Sequence, residues 1–219
     1  MTDTASRFRW KDYSIALCAM IIMVVASNIL VQYPIQIPGI EHVLTWGAIS
    51  YPFIFLVTDL SSRRFGPSRT RRIAYTGFIV AVLISILLAS PRIALASGCA
   101  FLCSQLVDIF IFSRMNQRIW WLPPFIASFI AAAVDTFIFF FLAFYCGPLP
   151  LFGTDISALF NWFGITDTCL SLPWASLAMG DFVVKVLMNI LALGPYGYLL
   201  SKLIPGALSP AFRKEGLCP

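Results

Sequence analysis

The chain has 219 residues, 59% of them hydrophobic and 11% charged, with a mean hydropathy of +0.86. Soluble domains carry about 25% charged residues, so a soluble enzyme or binding module is excluded. The net charge of +5 lies mainly between apolar runs, where it marks membrane topology rather than a nucleic-acid surface.

A hydrocarbon core of about 30 Å needs roughly 20 apolar residues in a helix. On that measure the chain is all-α and polytopic. Six transmembrane helices are expected, at about Tyr13–Gln32, Val43–Leu60, Ile73–Ser90, Ile93–Phe112, Pro124–Cys146 and Trp174–Leu200. They form one membrane domain, 13–200, between an N-terminal segment, 1–12, and a C-terminal tail, 201–219. The first run lacks a small-residue cleavage site of the A-x-A kind, so it reads as a retained helix rather than a signal peptide.

With both termini cytoplasmic, thirteen of the fifteen Lys and Arg residues fall on the inner side. They are Arg7, Arg9 and Lys11; the loop of Arg63, Arg64, Arg69, Arg71 and Arg72; Arg114 and Arg118; and Lys202, Arg213 and Lys214. This is the positive-inside distribution. Only Arg92 lies outside, and Lys185 lies within a helix. Trp10, Trp120 and Trp121 mark the inner boundary and Trp46, Trp162 and Trp174 the outer one, as an aromatic belt requires.

The long outer connection, Gly147–Pro173, contains Asp155 and Asp167 but no Lys or Arg. Within it, Ile156–Phe163 reads either as a short interfacial lid or as ordinary surface loop. Cys146 and Cys169 flank this connection and are either a disulfide pair or small apolar residues. The six cysteines form no CxxC and the sole histidine is His42, so no zinc site is expected. A short echo relates Val107-Asp108-Ile109-Phe110-Ile111-Phe112 to Val134-Asp135-Thr136-Phe137-Ile138-Phe139 on consecutive, hence antiparallel, helices. Proline at Tyr51-Pro52 is expected to kink the second helix, and Gly194-Pro195 to break the sixth.

An ionisable residue inside a membrane helix costs about 2.5–3.5 kcal/mol on insertion scales and usually faces a partner or a cavity. Five residues qualify: Asp59, Asp108, Asp135, Asp181 and Lys185. Helical spacing groups Ser97, Phe101, Ser104, Gln105 and Asp108 near one face. It also places Ser128 on the face of Asp135. Asp181, Lys185 and Asn189 recur every four residues as a polar stripe. Asp at i with Lys at i+4 is a favourable pair, and Lys185 is alternatively a counter-ion for a carboxylate on another helix.

These residues resemble the vitamin-uptake-like family of queuosine precursor transporters. Pro52-Phe53-Ile54-Phe55-Leu56-Val57-Thr58-Asp59 is similar to its P-x-x-F-L-x-T-D segment, and Phe65-Gly66 to its aromatic-glycine turn. Arg92-Ile93, Ala96-Ser97, Ala100-Phe101, Ser104-Gln105 and Asp108 follow its R-I-x-x-A-S-x-x-A-[FY]-x-x-S-Q-x-x-D pattern. Ser128, Asp135-Thr136 and Phe139 resemble its fifth helix, and Lys185, Pro195 and Tyr198 its last. One position departs: where the family commonly has an acidic residue before the aromatic-glycine turn, Arg63 and Arg64 stand.

The resemblance implies a six-helix protein of the bacterial inner membrane, like the substrate-binding subunits of energy-coupling-factor vitamin transporters. It implies import of cyano- or aminomethyl-deazaguanine for making queuosine. A guanine-like base presents paired N–H donors to a carboxylate, and charge-assisted bidentate contacts are strong. Asp108, Gln105, Asp135, Ser104, Phe101, Lys185 and Asn189 are therefore the candidate substrate-binding residues. Thr58 and Asp59 are candidates for the gate or release side. No GxxxxGK[ST], HExxH or GxSxG occurs, so neither P-loop ATP hydrolysis nor those enzyme classes are expected. No cofactor is called for. The expected partners are a small-molecule substrate and the lipid bilayer, with a homo-oligomer left open. The alternatives are a carrier of another vitamin or nucleobase, or a membrane assembly protein without transport.

Overall fold

The computed structural model describes residues 10–30, 33, 46–50, 52–88, 91–115, 119–145 and 174–203. Among them there is no strand. The helices are α1 (Trp10–Leu30), α2 (Trp46–Ser50), α3 (Pro52–Phe65), α4 (Pro67–Leu88), α5 (Pro91–Arg114), α6 (Leu122–Phe144) and α7 (Trp174–Leu203). Five of them, α1, α4, α5, α6 and α7, are long and apolar enough to cross a membrane. Among the described residues the second predicted span comprises two helices. Proline lacks an N–H and clashes with the carbonyl four residues back, and the segment is divided into α2 and α3 on either side of residue 51.

The five-arginine loop is mostly helix. α3 runs past Leu60 to Phe65, and α4 begins at Pro67, so all five arginines are helical. Gly66 alone separates the two, with φ at +81°. That left-handed conformation ends helices at glycine without a Cβ penalty, and proline suits the first helical position after it. The Gly66 N–H donates to Ser62 O at 3.1 Å, and Gly66 O accepts from the Thr70 N–H at 3.2 Å.

The expected break at Gly194-Pro195 does not occur: α7 is continuous with Pro195 inside it. The ring of a proline crowds the Cβ of the preceding residue. Here that residue is Gly194, which has no Cβ for the ring to crowd. The cost is then one main-chain hydrogen bond, which membrane helices accommodate.

The helices pack through small residues. Ala94, Ala96 and Ala100 of α5 and Ala127, Ala131 and Ala132 of α6 are all buried. A Cβ on Gly98 would come within 2.9 Å of Val82 on α4. Such close approach drives association where lipid is as apolar as the interface. Met20, Val24, Ile54, Ile73, Ala81 and Phe101 form the main apolar cluster across α1, α3, α4 and α5. Large apolar side chains such as Ile15, Leu83, Leu87 and Leu191 point outward, as a lipid-facing surface requires.

Two arginines tie helix ends together at opposite ends of the bundle. At one end the Arg64 guanidinium donates to Asp12 at 2.6 Å and to Leu203 O at 2.7 Å, joining the start of α1 to the ends of α3 and α7. At the other end Arg92 donates to Leu142 O at 3.2 Å and Tyr145 O at 3.0 Å. A basic fork thus meets the last carbonyls of α6, where a cation also suits the helix dipole. It makes α5 and α6 antiparallel, as the sequence echo requires. Replacing Arg92 by Ala is expected to cost about 2–3 kcal/mol, the worth of charged hydrogen bonds in a buried setting. The melting temperature in detergent would fall by several degrees. Lys, with no fork, is expected to recover only part of it; an unchanged melting temperature in the Ala variant would show that the clamp adds no stability.

Cys18, Cys99 and Cys103 are free thiols. No group of three metal-ligating side chains occurs among the described residues. Cys146, Cys169, His42, Asp155, Asp167 and the Ile156–Phe163 segment lie outside the described residues.

Candidate functional site

The five ionisable residues singled out from the sequence fall into two clusters, joined through α5, α6 and α7. The first is closed. Lys185 of α7 lies 2.8 Å from Asp135 of α6 and 2.5 Å from Asp181 one turn back on its own helix. The hydroxyl of Thr136 donates to Asp181 at 2.8 Å, and that of Ser104 on α5 donates to Asp135 at 3.2 Å. Lys185 therefore acts both ways that its spacing allowed, within its helix and across to another. Each carboxylate here has a cation and a hydroxyl, which is what burial of charge demands.

The second cluster is open in its bonding. Asp59 on α3 and Asp108 on α5 are buried, at 2% and 0% exposure, with Gln105 at 0% beside them. The two carboxyl groups lie within electrostatic reach of one another, as does Arg63 of Asp59. Ser128 donates to Asp59 at a long 3.4 Å, and Thr58 donates to Gln105 Oε1 at 2.5 Å. Both oxygens of Asp108, Oδ1 of Asp59 and Nε2 of Gln105 have no hydrogen-bond partner in the protein. Buried polar groups are normally bonded, so each such orphan calls for an explanation. Here acceptors and donors stand orphaned side by side, the complement of a ligand edge that carries both.

A cavity of about 20 Å³ adjoins this cluster, lined by Pro52, Leu56, Asp59, Pro124, Ser128, Asn189, Ala192, Leu193 and Tyr196. That is room for about one water, far below the roughly 300–1,000 Å³ of small-molecule pockets. Beside this cluster the bundle therefore leaves no room for a ligand the size of a base. Asn189 helps to fix its wall by donating to Ser128 O at 3.3 Å.

Next to the carboxyl groups, Arg63 bounds the cluster. It donates to Trp120 O at 3.3 Å, and its guanidinium carbon lies 5.6 Å from the Phe112 ring centroid and 5.8 Å from that of Tyr196. Trp120 stacks on Tyr196 with centroids 6.4 Å apart and planes 13° apart. Gly197 permits this stacking, since a Cβ there would lie 2.9 Å from the Trp120 ring. The result is a cation held among aromatic faces, toward the end of the bundle that carries Arg64 and Lys202.

Of the residues expected from sequence, Thr58, Asp59, Gln105 and Asp108 come together. Asn189 lines the adjoining cavity. Ser104, Asp135 and Lys185 belong to the closed cluster. Phe101 lies in the apolar cluster with Met20, Val24, Ile54 and Ile73, where its ring meets α1 and α4. Sequence reasoning passed over Arg63, Trp120 and Tyr196 as site residues. The signals were present: Arg63 is four residues after Asp59, and Tyr196 is seven after Asn189, each on the same helix face.

The chain matches the family model described as "Putative vitamin uptake transporter" over residues 45–90 and 84–200. It is 34% identical over 206 residues to a protein of Escherichia coli (strain K12) named "Queuosine precursor transporter", covering 84% of each chain. It is 29% identical over 216 residues to a "Probable queuosine precursor transporter" of Haemophilus influenzae, again covering 84% of each. A protein of the same printed name from Bacillus subtilis (strain 168) is 23% identical over 209 residues, covering 83% of this chain and 81% of the relative. No solved structure matches the chain.

Proposed function

The chain belongs to the family described as putative vitamin uptake transporters, and on that premise we propose that it imports a queuosine precursor, a 7-deazaguanine in its cyano or aminomethyl form, across a bacterial inner membrane. It is a multi-pass membrane protein of a transporter family rather than an enzyme. In this reading both termini are cytoplasmic, and the split α2–α3 segment counts as the remaining span.

The observation that carries the proposal is Asp108. Its two buried carboxylate oxygens lack partners beside the orphaned Gln105 amide. The N–H pair on the Watson–Crick edge of a deazaguanine fits such a carboxylate as a fork, and Gln105 reads a neighbouring acceptor. Tyr196 is the aromatic face nearest the cavity. Asp135, Lys185 and Ser104 support the recognition residues by holding α5, α6 and α7 in place. Asp59 and Thr58, with Arg63 next to Asp59, stand on the release side.

A ligand that binds only the folded protein at 100 times its Kd adds about 2.7 kcal/mol of stability. Purified protein with either deazaguanine is therefore expected to melt several degrees higher, and vitamins are expected to leave it unchanged. A rise with a vitamin or another nucleobase, and none with deazaguanines, would favour the second reading. That reading has its own support in Arg63, a cation beside the site where the family commonly has an acidic residue before the turn.

A further inference from the structure

With the deazaguanine reading as premise, we propose that each import cycle brings in one positive charge: a proton accompanying a neutral base such as the cyano form, or the base's own ammonium in the aminomethyl form. The charged groups around the open cluster are few. α3 contributes Asp59 and Arg63, and α5 contributes Asp108. The other groups facing them, Gln105 of α5, Ser128 of α6, and Asn189 and Tyr196 of α7, are uncharged. Lys185 is not available, because it bridges Asp135 and Asp181. Two buried carboxyl groups therefore share a single fixed cation.

In the closed cluster the same two-to-one ratio is relieved by hydroxyl donors from Thr136 and Ser104. Its outer carboxylate, Asp181, has a side chain 18% exposed. The open cluster has less: one hydroxyl, that of Ser128, at a long 3.4 Å from Asp59, and no exposed carboxylate. Asp108 is fully buried, neither of its oxygens has a partner at ordinary hydrogen-bond geometry, and the polar groups within its reach are the Asp59 carboxyl and the Ser128 hydroxyl. An uncompensated charge in such a place is strongly disfavoured. A neutral base donates N–H groups but adds no charge, so the site with that base bound is complete only with one further cation. A proton supplies it as an O–H bond forms on one carboxyl group from the outer side and breaks toward the cytoplasm. No electrons move. An aminomethyl base carries the charge itself, and its ammonium takes the proton's place. A metal ion fits less well, since the guanidinium of Arg63 already stands in the cluster.

The test uses full-length protein in proteoliposomes. Counterflow exchange of labelled cyano- and aminomethyl-deazaguanine without gradients first checks the substrate reading. The membrane potential is then clamped with potassium and valinomycin, and a gradient of one pH unit, acid outside, is imposed. One proton per base then gives about tenfold accumulation of the cyano form, because a pH unit corresponds to a factor of ten in equilibrium. The aminomethyl form is expected not to accumulate under the clamp, but to do so when the potential is made negative inside. Asp59→Asn should bring the tenfold response of the cyano form down toward one, relative to counterflow in the same vesicles, and Asp59→Glu should retain it. Counterflow with cyano uptake that ignores the pH gradient, or that follows a sodium gradient instead, would overturn the inference while leaving the substrate reading intact. So would an aminomethyl form that accumulates with the pH gradient alone. Absence of counterflow with both bases would overturn the substrate reading and this inference together.

Discussion

Asp108→Asn is expected to lower uptake of a labelled deazaguanine by about 100-fold or more at matched membrane levels. Two hydrogen bonds to a carboxylate are worth roughly 3–5 kcal/mol when both are charge-assisted and desolvated, and about 1.4 kcal/mol is a factor of ten. The amide keeps the size of the side chain but offers one acceptor in place of two, with an NH₂ facing the donors of the base. The orphaned oxygens of Asp108 mean that no protein hydrogen bond is lost, so the variant should insert and melt like the parent. Asp135 makes the informative contrast. Its carboxylate is bonded to Lys185 at 2.8 Å, so Asp135→Ala should reduce the amount of folded protein more than the affinity of what remains. Unchanged transport in both Asp108→Ala and Asp135→Ala would remove the site assignment altogether.

The largest loss of stability is expected at Lys185. Removing one partner of a buried pair typically costs 3–5 kcal/mol, because the other charge is left uncompensated. Lys185→Met strands two carboxylates at once. For a chain of this size each kcal/mol corresponds to roughly 2–4 °C, so the melting temperature in detergent should fall by about 10 °C. Adding Asp135→Leu should restore most of it, since replacing both buried partners by apolar groups is often neutral or better. The remaining carboxylate, Asp181, is 18% exposed and bonded to Thr136. A single Lys185→Met variant that melts like the parent would show that the cluster does not hold the helices together.

The long helices were legible because their cause is local. An apolar run of membrane length must hydrogen-bond its own backbone, and α1, α4, α5, α6 and α7 all follow from that. The stretch around Arg63 was misread because a dense row of arginines looks like a solvated connection. Gly66 alone makes the turn, and arginine is a good helix former. The polar residues were legible too, since Asp108 or Asp135 inside an apolar helix calls for a reason. Their partners were not. Whether Asp135 or Asp108 meets Lys185 depends on the rotation of α5 and α6 against α7, which a single sequence does not encode locally. Phe101 shows the limit: its spacing puts it near the face of Asp108, yet its ring fills the apolar layer against α1 and α4.

The cavity of about 20 Å³ beside Asp59 bears on any measured affinity. On the proposed reading, a base binds here only in an expanded arrangement of α3, α6 and α7. The apparent dissociation constant is then the intrinsic one divided by the fraction of molecules already expanded. If that fraction is about 1%, strong contacts at Asp108 would appear roughly 100-fold weaker in a binding assay. A substitution that props the cavity open would tighten binding without touching the ligand. On the same reading it would also slow release into the cell, because closure would be what expels the base. Weak equilibrium binding by this protein would therefore be a sign of a working carrier, and a tight-binding variant the first one to examine for lost turnover.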